Sequence, residues 1–320
     1  MYHNGKNILT QQQTYLMKKV SIIIPIYKVE KFIEECASSL FSQTYENIEF
    51  IFVNDCTPDN SIEILQETIN NYPKRKNQVT IISQNRNQGL AASRNKALDV
   101  FTGDFVAFVD SDDYLTDKNI IADAIKILEN NPSTSFIQIP HIKDEKTHNK
   151  QDLIIDNISD MYKLWINGKT ITNYFCDKIF RRDVIESLRF KEGIIFEDRH
   201  LFPSVLNNCN KVILCSKIGA YFYRTHAGQI TQRNDPHAFQ CQIIADMRIL
   251  QLIPQQLVKE ALTVYWRAIS NSIAANNHEI IQPYSRSFSE IIGADIPIGI
   301  KLRLCIIKLI GLKNYLQLVN

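Results

Sequence analysis

The first 110 residues alternate short apolar runs with stretches of helical spacing. The apolar, β-branched runs predict buried strands at residues 20–27, 48–55, 79–83 and 104–110. Between them, apolar residues recur at helical spacing in residues 30–43, 60–72 and 89–100. Because strands that alternate with helices form βαβ units, we predict an α/β fold in which a mainly parallel sheet is flanked by helices.

The alternation weakens in the second half of the chain. The polar run 141–152 predicts a surface loop, and residues 212–231 predict a late pair of strands. Helical spacing then continues to the end of the sequence. We therefore expect a flexible leader over residues 1–17, a main domain over residues 18–235, and a helical C-terminal region over residues 236–320.

Composition narrows the class of protein only slightly. Hydrophobic residues make up 45% and charged residues 22% of the 320 residues, which is ordinary for a globular protein. The formal net charge of +2 offers no basic surface to a polyanion, so we expect no nucleic-acid partner. The seven cysteines are scattered without a Cys-x-x-Cys pair, and the N-terminus has no apolar signal core. Both features favour a reducing, cytoplasmic location.

The C-terminal segment 296–319 is apolar but interrupted by Lys301, Arg303, Lys308 and Lys313. No window of the chain reaches the roughly 18 uninterrupted apolar residues of a spanning helix. Two interpretations remain open for this segment. It is either a helix that packs on its own domain or an interfacial helix that rests on the anionic inner face of the cytoplasmic membrane.

Polar side chains follow the predicted strands at the edge where ligands of parallel sheets bind. They are Tyr27, Asp55, Asn85, Arg86, Asp110 and Asp112. Because side chains alternate along a strand, Asp110 and Asp112 point the same way and present the hard oxygen ligands that Mg²⁺ and Mn²⁺ prefer beside a diphosphate. The alternative is a helix N-cap and turn cluster that begins at Asp112 or Thr116.

The residues at the ends of the first two predicted strands have the chemistry to bind a nucleotide. Asp55 can accept a hydrogen bond from an imide N–H such as that of uracil, and Tyr27 can cover the ring. The alternatives are an Asx-turn at Asp55 and a core-edge aromatic at Tyr27. Arg86 precedes a helix entry and favours phosphate or sugar hydroxyls. Arg94, inside that helix, is either a ligand or a surface ion-pair residue.

Residues 196–200 read FEDRH and place Glu197 beside Asp198. Neighbouring side chains diverge by about 100° on a helix, so one of the two enters the cleft, where a carboxylate can serve as general base. The alternative is an acidic pair at a helix N-terminus. In a later loop, Arg224 and His226 can close over departing phosphates, and His226 can instead be a third metal ligand.

Five segments in this order resemble the inverting, nucleotide-sugar-dependent glycosyltransferases of family 2. They are VSIIIPIYKVEKFIEECASSLFSQTYENIEFIFVNDCTPDNS, NRNQGLAASRNKAL, GDFVAFVDSDDYL, FEDRHLF and YFYRTHAGQIT. The resemblance covers residues 18–231 and implies the GT-A fold, which has a Rossmann-like sheet. It implies a nucleotide half over residues 18–115 and an acceptor half over residues 116–235.

The resemblance also implies roles for individual residues. The expected nucleotide-binding residues are Pro25, Tyr27, Glu30, Asp55, Arg86, Asp110 and Ser111, with Asp112 as the ligand of Mn²⁺ or Mg²⁺. Asp198 matches the catalytic base. The expected diphosphate and acceptor residues are Lys178, Glu197, Arg224 and His226. The sequence departs from the family pattern at Cys56, where glycine is usual, and at Lys28, where asparagine is frequent.

The implied activity is transfer of a sugar from a nucleotide diphosphate, a UDP-sugar, to a hydroxyl of a glycan or lipid-linked acceptor in bacterial surface polysaccharide synthesis. One alternative is a nucleotidyltransferase, which needs a glycine-rich loop after the first strand, and residues 25–32 contain no glycine. The other is a binding module without turnover, yet Asp110, Asp112 and Asp198 are all present.

Overall fold

The computed structural model describes residues 17–144, 146–148, 151–168, 170–226, 229, 235–276 and 279–319. The leader, apart from Met17, and much of the THAGQIT segment therefore lie outside the described residues. The strands are β1 (Val20–Ile26), β2 (Ile48–Asn54), β3 (Val79–Ser83), β4 (Phe105–Phe108), β5 (Tyr114–Leu115), β6 (Thr134–Gln138), β7 (His141–Lys143), β8 (Lys146–His148), β9 (Leu153–Ile155), β10 (Lys178–Arg181), β11 (Lys211–Leu214) and β12 (Tyr221–Tyr223).

Helices fill most of the remaining described chain. They are α1 (Ile33–Phe41), α2 (Ser61–Asn71), α3 (Leu90–Leu98), α4 (Ile120–Asn130), α5 (Ile158–Ile166), α6 (Arg182–Ile185), α7 (Glu197–Asn207), α8 (Pro236–Leu252), α9 (Val258–Ala275), α10 (Phe288–Gly293), α11 (Ile298–Ile310) and α12 (Leu312–Val319), with a 3₁₀ turn at Lys76–Gln78. Within the described residues, none of these helices has the length and apolar character needed to cross a membrane.

A large sheet forms the centre of the molecule, with the strand order β3-β2-β1-β4-β10-β6-β11-β9 among the described residues. The strands β1 to β4 pair in parallel, so their carboxyl ends meet at one edge. Strand β10 lies antiparallel between β4 and β6. A smaller sheet has the order β5-β12-β7-β8. The predicted α/β sheet flanked by helices is confirmed, with antiparallel strands in its second half.

Two predicted details are wrong. The polar run 141–152 was expected to be a surface loop, but it contains β7 and β8, which pair with each other and extend the small sheet through β12. The late strands do not pair with each other, because β11 joins the large sheet and β12 the small one. In both cases pairing with distant strands decides the structure, and local polarity does not reveal it.

Alternate side chains of β1 enter different cores, as expected for a strand buried on both faces. Ile22 and Ile24 pack with residues of α1, α2 and α4. Ile23 packs on the opposite face with residues of α3, α5 and α7. A third apolar cluster lies among α8 to α12. The helical character of the C-terminal region is thus present, while its status as a separate domain stays a prediction.

Candidate active site

The Asp55 carboxylate, which directly follows β2, binds the loop between β3 and α3. It accepts backbone hydrogen bonds from Gln88 at 2.7 Å and Gly89 at 2.8 Å, and a side-chain bond from Gln84 at 2.8 Å. Gly89 has a φ of 91° and directly precedes α3, so the loop before the helix folds around this carboxylate. Asp55 is therefore buried, at 3% exposure, beside the start of α3.

Tyr27 follows β1 and is 41% exposed, with Lys28 Nζ 5.2 Å from its ring centroid. Lys28 and Cys56 adopt left-handed φ values of 57° and 55°. The backbone N–H of Lys28 donates to Thr57 Oγ1 at 2.8 Å, which joins the loops after β1 and β2. The Glu30 carboxylate accepts from the Asn60 N–H at 3.3 Å in the same region. An aromatic ring thus stands open to solvent at the expected nucleotide position.

The acidic segment after β4 is partnered by a buried arginine. Arg94 of α3 is 3% exposed and donates to Asp110 at 2.7 Å and to Glu197 at 2.9 Å. Burial by itself would lower the pKa of Arg94, but the attraction of the Asp110 and Glu197 carboxylates is stronger. The net effect raises the pKa of Arg94 above its usual range. The sequence identified Arg94 only as a ligand or a surface residue. Neither describes its position, because the pairing with Glu197 spans 103 residues of sequence.

Asp112 and the late loop meet on the other side of Asp110. Asp112 Oδ2 lies 2.9 Å from His226 Nε2, and both side chains are about a quarter exposed, at 24% and 28%. Arg224 Nε donates to the Asp112 carbonyl at 2.9 Å, and its terminal nitrogen pairs with Glu35. The Arg224 guanidinium lies between the rings of Phe32 and Tyr114, 5.1 and 5.5 Å from their centroids. The structure thus brings three predicted residues together.

Asp113 holds the late loop in place, a role that the sequence did not reveal. It is 1% exposed and accepts from the Tyr221 hydroxyl at 2.6 Å and from the Arg224 N–H at 2.8 Å. Burial, together with Asp112 and Asp110, raises the pKa of Asp113 to about 8. The sequence shows three acids, Asp110, Asp112 and Asp113, after a buried strand. It does not show which of the three faces inward.

Glu197 and Asp198 begin α7, so the predicted acidic pair at a helix N-terminus is present. The preceding Phe196 has a left-handed φ of 64°, an unfavourable conformation for an aromatic residue and one found at functional sites. Asp198 accepts from Asn173 Nδ2 at 2.9 Å and from the Arg199 N–H at 2.5 Å. Burial raises the pKa of Asp198, and Arg94 opposes this effect. Glu197, in contrast, faces Arg94.

Four further predicted residues differ in their exposure and contacts. The Lys178 ammonium is buried and donates to Thr172 Oγ1, the Tyr174 carbonyl and Asp177 Oδ1, each at 2.7 Å, so all three of its protons are used within the protein. Arg86 is exposed in the loop after β3. Pro25 and Ser111 are buried.

The side chains of Asp112 and His226 carry ligand atoms that suit a divalent cation. A carboxylate oxygen and an imidazole nitrogen converge at the mouth of the sheet, next to the predicted diphosphate position. Among the described residues no group of three or more His, Cys, Asp or Glu has metal-binding geometry. Such a pair fits an ion that completes its coordination with phosphate and water, as Mg²⁺ and Mn²⁺ do.

Two solved structures with a similar arrangement of sheet and helices contain a bound nucleotide sugar. The crystal structure of S. aureus TarS 1-349 in complex with UDP-GlcNAc aligns with a TM-score of 0.70 and 19% identity, over 93% of this chain and 89% of that chain. The mannosyltransferase PcManGT from Pyrobaculum calidifontis, in complex with GDP-Man and Mn²⁺, aligns with a TM-score of 0.59 and 16% identity, over 94% and 83% of the chains. The fold is therefore the GT-A fold.

The chain belongs to glycosyl transferase family 2, whose family model matches residues 21–189. The glycosyltransferase GlyA of Streptococcus pneumoniae is 30% identical over 229 residues, which are 67% of this chain and 32% of GlyA. A poly(ribitol-phosphate) beta-glucosyltransferase of Bacillus spizizenii is 42% identical over 100 residues, 30% of this chain and 15% of that protein. The chain thus spans well under two thirds of either relative. The predicted family and class of enzyme are confirmed.

Proposed function

We propose that the protein is an inverting glycosyltransferase that moves a sugar from a UDP-sugar to a hydroxyl of a glycan or lipid-linked acceptor. One observation carries the proposal. The buried Arg94 joins Asp110, at the end of a nucleotide-side strand, to Glu197, which directly precedes Asp198 on α7. The edge of the sheet at which the sugar donor would bind and the candidate base Asp198 therefore lie next to the same ion-pair cluster.

The donor occupies the edge formed by the loops after β1 to β4. Tyr27 covers the base and Asp55 accepts from its imide, with Pro25, Glu30, Arg86 and Ser111 around the nucleoside and Asp110 near the ribose. The UDP-GlcNAc bound to TarS, which shares the fold, supports a UDP-sugar. This assignment makes the exposed ring of Tyr27 a stacking surface.

Asp198 acts as the general base. Its raised pKa brings the carboxylate closer to the working pH, where a base removes a proton most effectively. The Asn173 amide and the Arg199 N–H orient it. Asp198 takes the proton of the acceptor hydroxyl while that oxygen bonds to the anomeric carbon and the bond to the diphosphate breaks. A single displacement inverts the anomeric configuration.

Charge on the departing diphosphate needs a positive partner. Asp112, with His226, would hold Mn²⁺ or Mg²⁺, and the Mn²⁺ bound to PcManGT supports this choice. A bound cation supplies electrostatic stabilisation of the leaving group. Arg224 already carries its guanidinium beside Asp112, so it adds a second positive charge. Lys178 supports the site from beneath, through Thr172 and the Tyr174 carbonyl.

The acceptor is a surface glycan under assembly on the cytoplasmic side of the membrane. The resemblance to a poly(ribitol-phosphate) beta-glucosyltransferase supports a polysaccharide acceptor. Residues 18–235 form the catalytic unit, with residues 116–235 on the acceptor side, and residues 236–320 form a helical extension.

The test is donor turnover by the Asp198→Asn variant. Purified protein is incubated with UDP-GlcNAc, UDP-glucose or UDP-galactose and Mn²⁺, and UDP release is measured with and without glycan acceptors. We expect the variant to lose about 10²–10⁴-fold in turnover while it binds UDP normally, because only the proton acceptor is removed. Asp160→Asn, on the exposed side of α5, is the matched control.

Turnover at the wild-type rate by Asp198→Asn would remove the base assignment. UDP binding without turnover by the wild type, across all donors and acceptors, would instead favour a binding module.

A further inference from the structure

Helix α11 carries apolar residues on two opposite faces. Ile300, Leu304 and Ile307 face the third apolar cluster. The other face exposes a second apolar row, formed by Ile298 at 70%, Leu302 at 59%, Ile306 at 41% and Leu309 at 72% exposure. At 100° per residue these four side chains fall within about 80° of one another. Polar residues are expected on the outer face of a surface helix.

Neighbouring helices expose further apolar residues. Ile292 of α10 is 62% exposed, and Leu318 and Val319 of α12 are 73% and 43% exposed. Single exposed apolar residues are normal, but a contiguous group marks a surface that contacts a partner or a membrane. We call the row on α11, together with these three residues, the α11 face.

Basic residues flank the α11 face. They are Lys301, Arg303, Lys308 and Lys313, and residues 298–319 contain no aspartate or glutamate. Lys301 and Lys308 lie about 20° apart on one side of the row, and Arg303 lies beyond its other edge. The Arg303 guanidinium lies 5.5 Å from the ring centroid of Trp266 on α9. An apolar stripe between cations is the pattern of an interfacial helix.

We infer that the α11 face docks on the surface of an anionic lipid bilayer. The apolar row enters the boundary between headgroups and acyl chains, and the flanking cations contact the lipid phosphates. A second copy of the chain fits this face less well, because it would bring four cations against four cations without an acid on either helix. The inference deepens the proposed function. It rests on that function for one consequence only, namely that a lipid-linked acceptor is presented at this surface.

Vesicle cosedimentation of the full chain tests the inference. Wild-type protein is mixed with vesicles of phosphatidylcholine alone or with 30% phosphatidylglycerol, at low and high salt. We expect binding to the anionic vesicles only, and weaker binding at high salt because the ionic contacts are screened.

Two double variants separate the charged from the apolar contribution. Lys301→Gln with Lys308→Gln removes two cations, each of which contributes about fivefold to membrane affinity, so binding should fall about 25-fold. Leu302→Gln with Leu309→Gln should lower binding by at least tenfold while the secondary structure is retained, because both residues are exposed. The matched controls are Lys74→Gln with Lys76→Gln and Val100→Gln with Ile154→Gln, which change exposed residues outside this face.

Three results would overturn the inference. They are no binding of the wild type to anionic vesicles, equal loss in the control variants, and a wild-type dimer that the leucine variant dissociates. UDP release from a water-soluble donor is measured in parallel with every variant and should stay unchanged. Turnover without vesicle binding contradicts this inference alone, whereas vesicle binding without turnover contradicts the proposed glycosyl transfer.

Discussion

At the scale of single residues, one buried guanidinium organises the site. Arg94 pairs with Asp110 and Glu197, while Asp198 beside them bonds to Asn173 and the backbone. Adjacent acids in the sequence thus have different environments. Burial raises the pKa of Glu197 to about 7, with Arg94 acting against the rise and Asp198 adding to it. The Glu197–Arg94 pair joins α7 to α3, whereas Asp198 makes no ion pair with Arg94 and remains the proposed base.

The Glu197→Gln variant should change how stability depends on pH. The folded-state pKa of about 7 exceeds the ordinary value of 4.5, so the folded protein binds more protons than the unfolded chain between these values. The wild type therefore loses stability as pH rises from 4.5 through 7, by about 3 kcal/mol. Urea unfolding from pH 4.5 to 8 should show a flatter profile for the variant. Parallel profiles of the two proteins would contradict the assignment.

The second residue-scale prediction concerns Cys56, which has a left-handed φ of 55°. Glycine, which the family pattern has after Asp55, adopts this conformation without the Cβ clash. We expect Cys56→Gly to raise the free energy of unfolding by about 0.5–1 kcal/mol, after the entropic cost of glycine. Cys56→Ala removes the thiol but keeps the Cβ and should give no gain. Equal stabilisation by both variants would point to the thiol instead of the backbone.

At the scale of elements, an ion-pair cluster joins α7, which carries the proposed base, to the C-terminal helices. Asp246 of α8 is fully buried and accepts from Arg199 of α7 at 2.5 Å and from Arg267 of α9 at 2.7 and 3.0 Å. Arg199 directly follows Asp198, so this cluster sets the position of the first turn of α7. The C-terminal helices therefore support the site although they contribute no residue to it among the described contacts.

The Asp246→Ala variant should lose about 1–3 kcal/mol of stability, because two partly buried arginines, Arg199 and Arg267, lose the carboxylate to which they donate hydrogen bonds. Turnover should fall while UDP affinity stays near that of the wild type, since the donor side is built on other strands. Urea unfolding and UDP titration measure the two effects. Asp295→Asn removes the exposed pair with Lys259 and should change neither quantity. A weaker UDP affinity in Asp246→Ala would show that the cluster acts beyond α7.

Sequence patterns predicted the elements whose stability is local. The strands β1 to β3 and helices α1 to α3 lie within the predicted segments, because their apolar spacing matches their own period. Strand β10 was not predicted, since its place between β4 and β6 depends on partners far away in sequence. The same reason hid the contact between Arg94 and Glu197. Motif resemblance predicted the acids of the candidate site, but their pairing could be seen only in the fold.

At the scale of the whole molecule, the site is assembled from segments that are distant in sequence. Asp55, Asp110 and Asp112 follow parallel strands, Glu197 and Asp198 begin α7, and the late loop covers Asp112. None of these segments has the full site by itself, so a ligand that bridges them binds only the folded chain. Such binding stabilises the fold as a whole.

The last prediction uses this linkage to test the cation site. UDP at 100 times its dissociation constant should add about 2.7 kcal/mol to the stability of the wild type, which is a rise of about 5 °C in Tm. Mn²⁺ should enlarge the shift given by a fixed UDP concentration, because a cation at Asp112 and His226 would neutralise the diphosphate. In Asp112→Asn the shift should be the same with Mn²⁺ as without it, whereas Asp160→Asn should respond like the wild type. An undiminished Mn²⁺ effect in Asp112→Asn would place the cation elsewhere, since that variant lacks the carboxylate charge that the site requires.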